Sequence, residues 1–308
     1  MQGTVDGFRY GIVTPVAAYL MACLGGALGL RCTVRSLLDT QWWRSGWLAL
    51  GAASIGCGIW TMHFIAMIGF QVEETRIGYD VTLTVLSLVV AVVVVGAGVF
   101  IVGHRGAGRV ALAVAGVVTG LGIAAMHYLG MAAIHVNGTI RYASWTVSLS
   151  VLIAIAAATA ALWAAVTIRG FLASLGASLV MGVAVSGMHY TAMASVSVHL
   201  HGTTDARAGD AATSLLLPML IGPVIFLLLA AVVVVFDPLL VLGEGEWNRD
   251  SAPPRAATAS GASGPRRAGW ARPARPAADG QPRSRTAARP AGRRRKQPDR
   301  ERTRHGPA

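Results

Sequence analysis

The chain is patterned in long apolar blocks, not in the 3.6- or 2-residue alternation of half-buried surface elements. Seven apolar runs of 20 to 28 residues follow one another, at about residues 11–30, 47–70, 81–102, 110–134, 145–168, 171–198 and 215–242. A bilayer's hydrocarbon core, about 30 Å thick, is crossed by about 20 apolar residues in helical form. Every run is long enough, so the expected fold is all-α, a polytopic membrane bundle of seven transmembrane helices. Pro218 and Pro223 fall inside the seventh run, where neighbouring helices can satisfy the carbonyls that each proline leaves without a donor.

Composition agrees. Of 308 residues, 54% are hydrophobic and 13% charged, which excludes an ordinary soluble globular protein. The net charge of +12 divides unevenly, at +2 over residues 1–242 and +10 over residues 243–308. Two regions are therefore expected: a membrane domain, 1–242, and a basic tail, 243–308, rich in Arg, Pro and Ala. The tail cannot bury enough apolar area to offset its ordering entropy and is expected to be disordered. Its most basic stretch, Gly292-Arg293-Arg294-Arg295-Lys296, suits anionic lipid at the inner leaflet. With Trp247 and Trp270 as its aromatic residues, it lacks the interleaved rings that stack bases, so no nucleic acid is expected as a partner.

Positive charge in short connections favours the cytoplasmic side. With the amino terminus outside, the inner connections hold Arg31, Arg35, Arg44, Arg105, Arg109 and Arg169, and the outer segments hold Arg9, Arg76, Arg141 and Arg207. The expected localisation is a bacterial cytoplasmic membrane, with the amino terminus outside and the tail inside. Trp42, Trp43 and Trp47 then fall at the inner interface and Trp145 at the outer one. No cleavable signal peptide is expected, because no cleavage site would leave a soluble product. Cys23, Cys32 and Cys57 are odd in number and lie in or beside apolar runs, so they form no disulfide framework.

The chemistry lies in a threefold internal repeat. Gly56-Cys57-Gly58-Ile59-Trp60-Thr61-Met62-His63-Phe64-Ile65-Ala66-Met67 stands in the second run. Gly120-Leu121-Gly122-Ile123-Ala124-Ala125-Met126-His127-Tyr128-Leu129-Gly130-Met131 stands in the fourth, and Gly182-Val183-Ala184-Val185-Ser186-Gly187-Met188-His189-Tyr190-Thr191-Ala192-Met193 in the sixth. The histidines are 64 and then 62 residues apart, one helical hairpin each time, so all three motifs lie at one depth near the outer face. A spacing of four places imidazole and thioether on one helical face, which pairs His63 with Met67, His127 with Met131 and His189 with Met193. Met62, Met126 and Met188 point about 100° away around their helices. The upstream glycines allow helix backbones to approach closely.

Imidazole and thioether are neutral, and thioether sulfur is soft, so such a set inside a membrane suits copper, above all Cu(I). The three pairs offer more donors than one Cu(I) needs: either several ions bind or part of the set is structural. A copper-handling transporter or membrane metalloenzyme is the alternative class, and a purely structural packing repeat is a third reading. Outside the repeats, His135 extends the His127 and Met131 face by a turn, and His199 and His201 accompany Asp205 and Asp210 in an outer connection. Cys57 and His104 read as packing and interfacial residues. Asp237 is the one carboxylate in an apolar run and reads as interfacial. No nucleophilic triad order, paired buried carboxylates, phosphate loop or zinc-protease helix is present in the spans, so no enzymatic activity is expected.

These motifs resemble the MHYT domain of bacterial membrane sensors, named for the tetrapeptide that stands here as Met188-His189-Tyr190-Thr191. The resemblance covers residues from about 11 to 242, with Met62-His63-Phe64-Ile65 and Met126-His127-Tyr128-Leu129 as its other copies. It implies an integral membrane sensory domain that binds copper through its motifs near the outer face and senses oxygen, carbon monoxide or nitric oxide. Many members continue into a GGDEF or EAL output module, and neither motif occurs in the tail. A stand-alone sensor whose signal leaves through the tail, through the helix bundle or through a separate cytoplasmic partner is the resulting expectation.

Overall fold

The computed structural model describes residues 3–7, 10–38, 43–75, 77–106, 108–200 and 210–237. The tail, together with Trp42, Arg76, His201, Asp205 and Arg207, lies outside the described residues. Seven helices are long and apolar enough to cross a membrane: α1 (Val13–Leu38), α2 (Arg44–Ile68), α3 (Val81–Arg105), α4 (Arg109–Ala132), α5 (Ser144–Thr167), α6 (Phe171–Met193) and α7 (Asp210–Val235). Pro218 and Pro223 are both accommodated inside α7.

Each of the first six helices packs on the next in chain order and α6 returns to α1, closing a six-membered ring; α7 packs outside it, against α2 and α1. Glycines set the spacing. A Cβ on Gly58 would lie 2.7 Å from the Cα of Gly25, so α1 and α2 touch backbone to backbone within their hairpin. The first glycine of each repeat faces the following hairpin instead. A Cβ on Gly56 would lie 2.8 Å from Val92 Cα on α3, one on Gly120 2.4 Å from Ile155 Cα on α5, and one on Gly182 2.4 Å from Cys23 Sγ on α1. One repeated glycine thus forms each joint between hairpins, and the joints give the ring its approximate threefold order.

Three antiparallel two-stranded ribbons cap the end of the ring where α2, α4 and α6 finish. They are β1 (Val5–Asp6) with β2 (Gln71–Val72), β3 (Gly78–Tyr79) with β4 (Ile134–His135), and β5 (Gly138–Tyr142) with β6 (Val196–Leu200). Gly3 N donates to Val198 O over 2.8 Å, which ties the first ribbon to the third. The Glu74 carboxylate, held below its ordinary range by hydrogen bonds from Thr4, accepts from Thr4 N at 2.9 and 3.1 Å. Phe70, Val72, Tyr79, Ile134, Val198 and Leu200 turn inward and are buried in the main core. Burial without a hydrogen-bond partner also raises the Tyr79 phenol's pKa.

The ribbons correct several expected boundaries. The sixth run does not stay helical to residue 198, because Val196 and Val198 alternate with polar residues in β6, where β-branched residues pack well. α4 ends at Ala132, so His135 leaves the helix, pairs across from Gly78 in β4 and is exposed, rather than extending the His127 face. α1 runs through to Leu38, past the expected end at residue 30, and α7 ends at Val235, short of 242. Arg31 and Arg35 therefore lie within a helix. The Arg31 guanidinium sits 5.6 Å from the Phe171 ring centroid, and Arg35 lies 5.0 Å from that of Trp47. Arg35 Nε also donates to both Asp237 carboxylate oxygens, at 3.0 and 3.1 Å. Asp237 is thus an ion-pair partner that fastens the end of α7 to α1. Trp43 and Trp145 are exposed at opposite ends of the ring, as an aromatic belt requires.

Candidate metal centre

The last two turns of α2, α4 and α6 run into the capped end of the ring, so their inward faces meet. His63, His127 and His189 converge there, each 1% exposed. His63 Nδ1 lies 3.1 Å from His189 Nδ1 and 3.2 Å from His127 Nδ1. All three side chains offer ligand atoms within 4.8 Å of one another, and this is the metal-competent group among the described residues. The rings stand nearly edge to face, with centroids 4.8 to 5.2 Å apart. The residue after each histidine holds the ring in place: Phe64, Tyr128 and Tyr190 each meet the preceding imidazole edge-on at 4.6 to 5.0 Å. Tyr128 is in turn fixed by Ser150, its hydroxyl 2.9 Å from Ser150 Oγ.

Hydrogen bonding alone leaves this cluster poorly satisfied. A neutral imidazole carries one N–H and one lone pair, so His63 Nδ1 cannot donate to one neighbour and accept from the other. His63 Nε2 and His127 Nε2 are also buried with no partner. A cation accepts three lone pairs at one point, and the spacing is close to what it needs. Three nitrogens about 2.0–2.1 Å from a common centre stand roughly 3.3–3.5 Å apart; the two contacts at His63 are slightly shorter than this, and the three ligand atoms lie within 4.8 Å of one another. The donor set therefore fits a bound metal ion with a small rearrangement of the three rings.

Met62, Met67, Met126, Met131 and Met188 are each 1% exposed, and Met193 is partly buried. Met188 also borders a cavity on the inward side of the cluster. Cys57 faces elsewhere, packed with Leu28, Cys32 and Leu227 between α1, α2 and α7. His104 is exposed and its Nδ1 lies 3.0 Å from Phe100 O, as an interfacial residue should. His199 stands exposed on β6, away from the cluster.

One feature of the site goes beyond the expected pattern. The position three residues after each histidine is small, occupied by Ala66, Gly130 and Ala192, all buried. A Cβ on Gly130 would lie 2.6 Å from His63 Nε2, so the first imidazole seats directly against the α4 backbone. The shared small residue was present in all three copies, but only the crossing of α2 and α4 explains it.

A family model for MHYT, described as a bacterial signalling protein N-terminal repeat, matches residues 56–115 and 120–178. Each match opens on the glycine that begins a motif. The bifunctional diguanylate cyclase/cyclic di-GMP phosphodiesterase MucR of Pseudomonas aeruginosa is 43% identical over 159 residues, covering 50% of this chain and 23% of the relative. The cyclic di-GMP phosphodiesterase NbdA of the same organism is 35% identical over 235 residues, 72% of this chain and 29% of the relative. The signaling protein YkoW of Bacillus subtilis is 29% identical over 187 residues, 58% of this chain and 23% of the relative. The chain thus spans less than a third of the length of these curated relatives. No solved structure matches it. With three motif copies on three converging membrane helices, the chain belongs to the MHYT family of bacterial membrane signalling proteins.

Proposed function

We propose that the chain is a multi-pass sensor of the cytoplasmic membrane whose His63, His127 and His189 hold one copper ion near the outer face. The carrying observation is the convergence of three buried imidazoles whose ligand atoms lie within 4.8 Å of one another, with two further ring nitrogens left unpartnered. Every group in the immediate cluster is neutral, which favours a monovalent soft ion over a divalent hard one. Met67 and Met131, fully buried one turn beyond His63 and His127, are the first candidates for a thioether ligand, with Met193 third; Met62, Met126 and Met188 support the ring from the side. When bound, copper would supply a one-electron couple and affinity for oxygen, carbon monoxide or nitric oxide.

Charge is what supports the orientation. Arg31, Arg35, Arg44, Arg105, Arg109 and Arg169 all belong to the end opposite the ribbons, and this bias supports a reading in which that end and the tail are cytoplasmic and the ribbons outside. Because each histidine belongs to a different hairpin, a change in ligation would shift the hairpins against one another and reach the cytoplasmic end through rigid helices. A separate cytoplasmic partner, or the tail at the anionic lipid surface, would receive that shift. The membrane domain itself acts as a sensor, not as an enzyme.

The test is elemental analysis of detergent-purified protein loaded with Cu(I) under reducing conditions, beside a triple His63, His127, His189→Ala variant. Copper retained by the wild type and lost by a folded variant supports the reading. Equal retention, or none in either, rules it out.

A further inference from the structure

A histidine that holds a metal ordinarily donates its second ring N–H to a carboxylate, a carbonyl or a water, and that hydrogen bond sets which nitrogen faces the ion. His63 has no such partner. Its Nδ1 meets both neighbouring histidines, and its Nε2 is buried without a hydrogen bond. Some other contact must therefore turn the ring.

Two contacts do so, and both are steric. The Phe64 ring stands edge-on against His63, with centroids 4.6 Å apart and planes at 79°. On the Nε2 side lies the bare α4 backbone at Gly130. A Cβ there would fall 2.6 Å from His63 Nε2, 3.1 Å from His63 Cδ2 and 3.2 Å from Phe64 Cζ. Carbon atoms rest about 3.5–4.0 Å apart, so a single methyl would strike the ring and its support together. Neither can step aside. Phe64 is fully buried, and on its other side the His63 ring already meets His189 at 3.1 Å and His127 at 3.2 Å. The other two motifs carry alanine at the position of Gly130, as Ala66 and Ala192, and both short nitrogen contacts involve the one ring that lies against glycine.

We infer that Gly130 is the positioning residue of the histidine cluster: it takes the Nε2 edge of His63 against its backbone and so turns Nδ1 inward as the atom His63 offers to an ion. The ion rests on the metal reading above; the seat does not. Glycine here does by shape what a carboxylate or carbonyl does by hydrogen bonding, and it brings no further polar group into an apolar interior.

Silver(I) is the probe, a soft, closed-shell stand-in for Cu(I) whose nuclear spin couples to the nitrogen that binds it. Full-length protein with ¹⁵N-labelled histidine rings is examined in detergent by NMR. Without metal, a nuclear Overhauser contact between the His63 Hδ2 and Gly130 Hα protons is expected; with silver, coupling to His63 Nδ1. Gly130→Ala should weaken silver binding about 10- to 100-fold, the loss that follows removal of an outer partner of a ligating histidine, and should erase or move the coupling at His63. Gly116→Ala crowds Thr159 from the same helix, about three turns from His127, so it should lower the thermal midpoint and leave silver affinity and coupling unchanged. Coupling to Nε2 in the wild type, an absent Hδ2–Hα contact, or unchanged coupling in a folded Gly130→Ala variant would overturn the inference. The two wild-type readings decide it where Gly130→Ala fails to fold. Silver bound through Nε2 sinks the seat and keeps the metal reading; the Hδ2–Hα contact in a chain that takes up no silver does the reverse.

Discussion

α2 and α6 carry the same pattern from glycine to methionine, yet 78% of the most apolar stretch of α2 is buried and only 28% of that of α6. The inward faces agree at the histidines, His63 and His189 being equally buried, as are Met62 and Met188, and differ only at their ends, where Met67 is buried and Met193 partly so. The larger difference is on the outer faces. α7 lies across α2 and covers Cys57, whereas Val180 and Val183 of α6 are open to the lipid at 69% and 62% exposure. Repetition therefore holds where three helices must meet at one point and relaxes where each meets its own surroundings. His63 is also the hub, since both short nitrogen contacts involve it.

The largest expected effect comes from removing what makes α2 unlike α6. Arg35 and Asp237 have side chains only 10% and 11% exposed, and breaking a buried pair from one side costs about 3–5 kcal/mol. Arg35→Leu should loosen α7 and open Cys57 to a membrane-permeant maleimide, which mass spectrometry detects; an unreactive Cys57 would show that packing alone holds α7. Next is the joint between hairpins. Gly120→Ala puts a methyl against the α5 backbone and should cost about 1–3 kcal/mol, seen as a lower midpoint in thermal unfolding.

A smaller effect separates the aromatic positions. Phe64 is fully buried, so Phe64→Tyr forces an extra atom into filled space and should destabilise by about 1–3 kcal/mol. Tyr128→Phe removes a hydrogen bond that already exists and should cost only about 0.5–1.5 kcal/mol. Equal losses in chemical unfolding would mean that the two sites are interchangeable after all. The smallest change belongs to Gly187, where an added Cβ meets nothing within 4 Å. Gly187→Ala should leave the fold unchanged or raise its stability by up to ~1 kcal/mol through helix propensity.

The seven helices were legible because membrane spans need only length and apolarity, and the meeting of three histidines followed from equal spacing by whole hairpins. The ribbons were not legible. Strands of two to five residues show too little alternation to register, and the valines of β6 are as apolar as those of a helix. Helix ends were misplaced wherever charge is satisfied by a partner distant in sequence, as Arg35 is by Asp237. The seat of His63 against Gly130 is a product of helix crossing, which no single repeat encodes.

The most direct test of the central claim, that three repeats build one site, is anaerobic Cu(I) titration of the wild type and of each single His→Ala variant against a chromophoric chelator. One ion per chain is predicted, with affinity falling in every single variant and furthest in His63→Ala. Three ions per chain, lost one at a time as each histidine is removed, would contradict it.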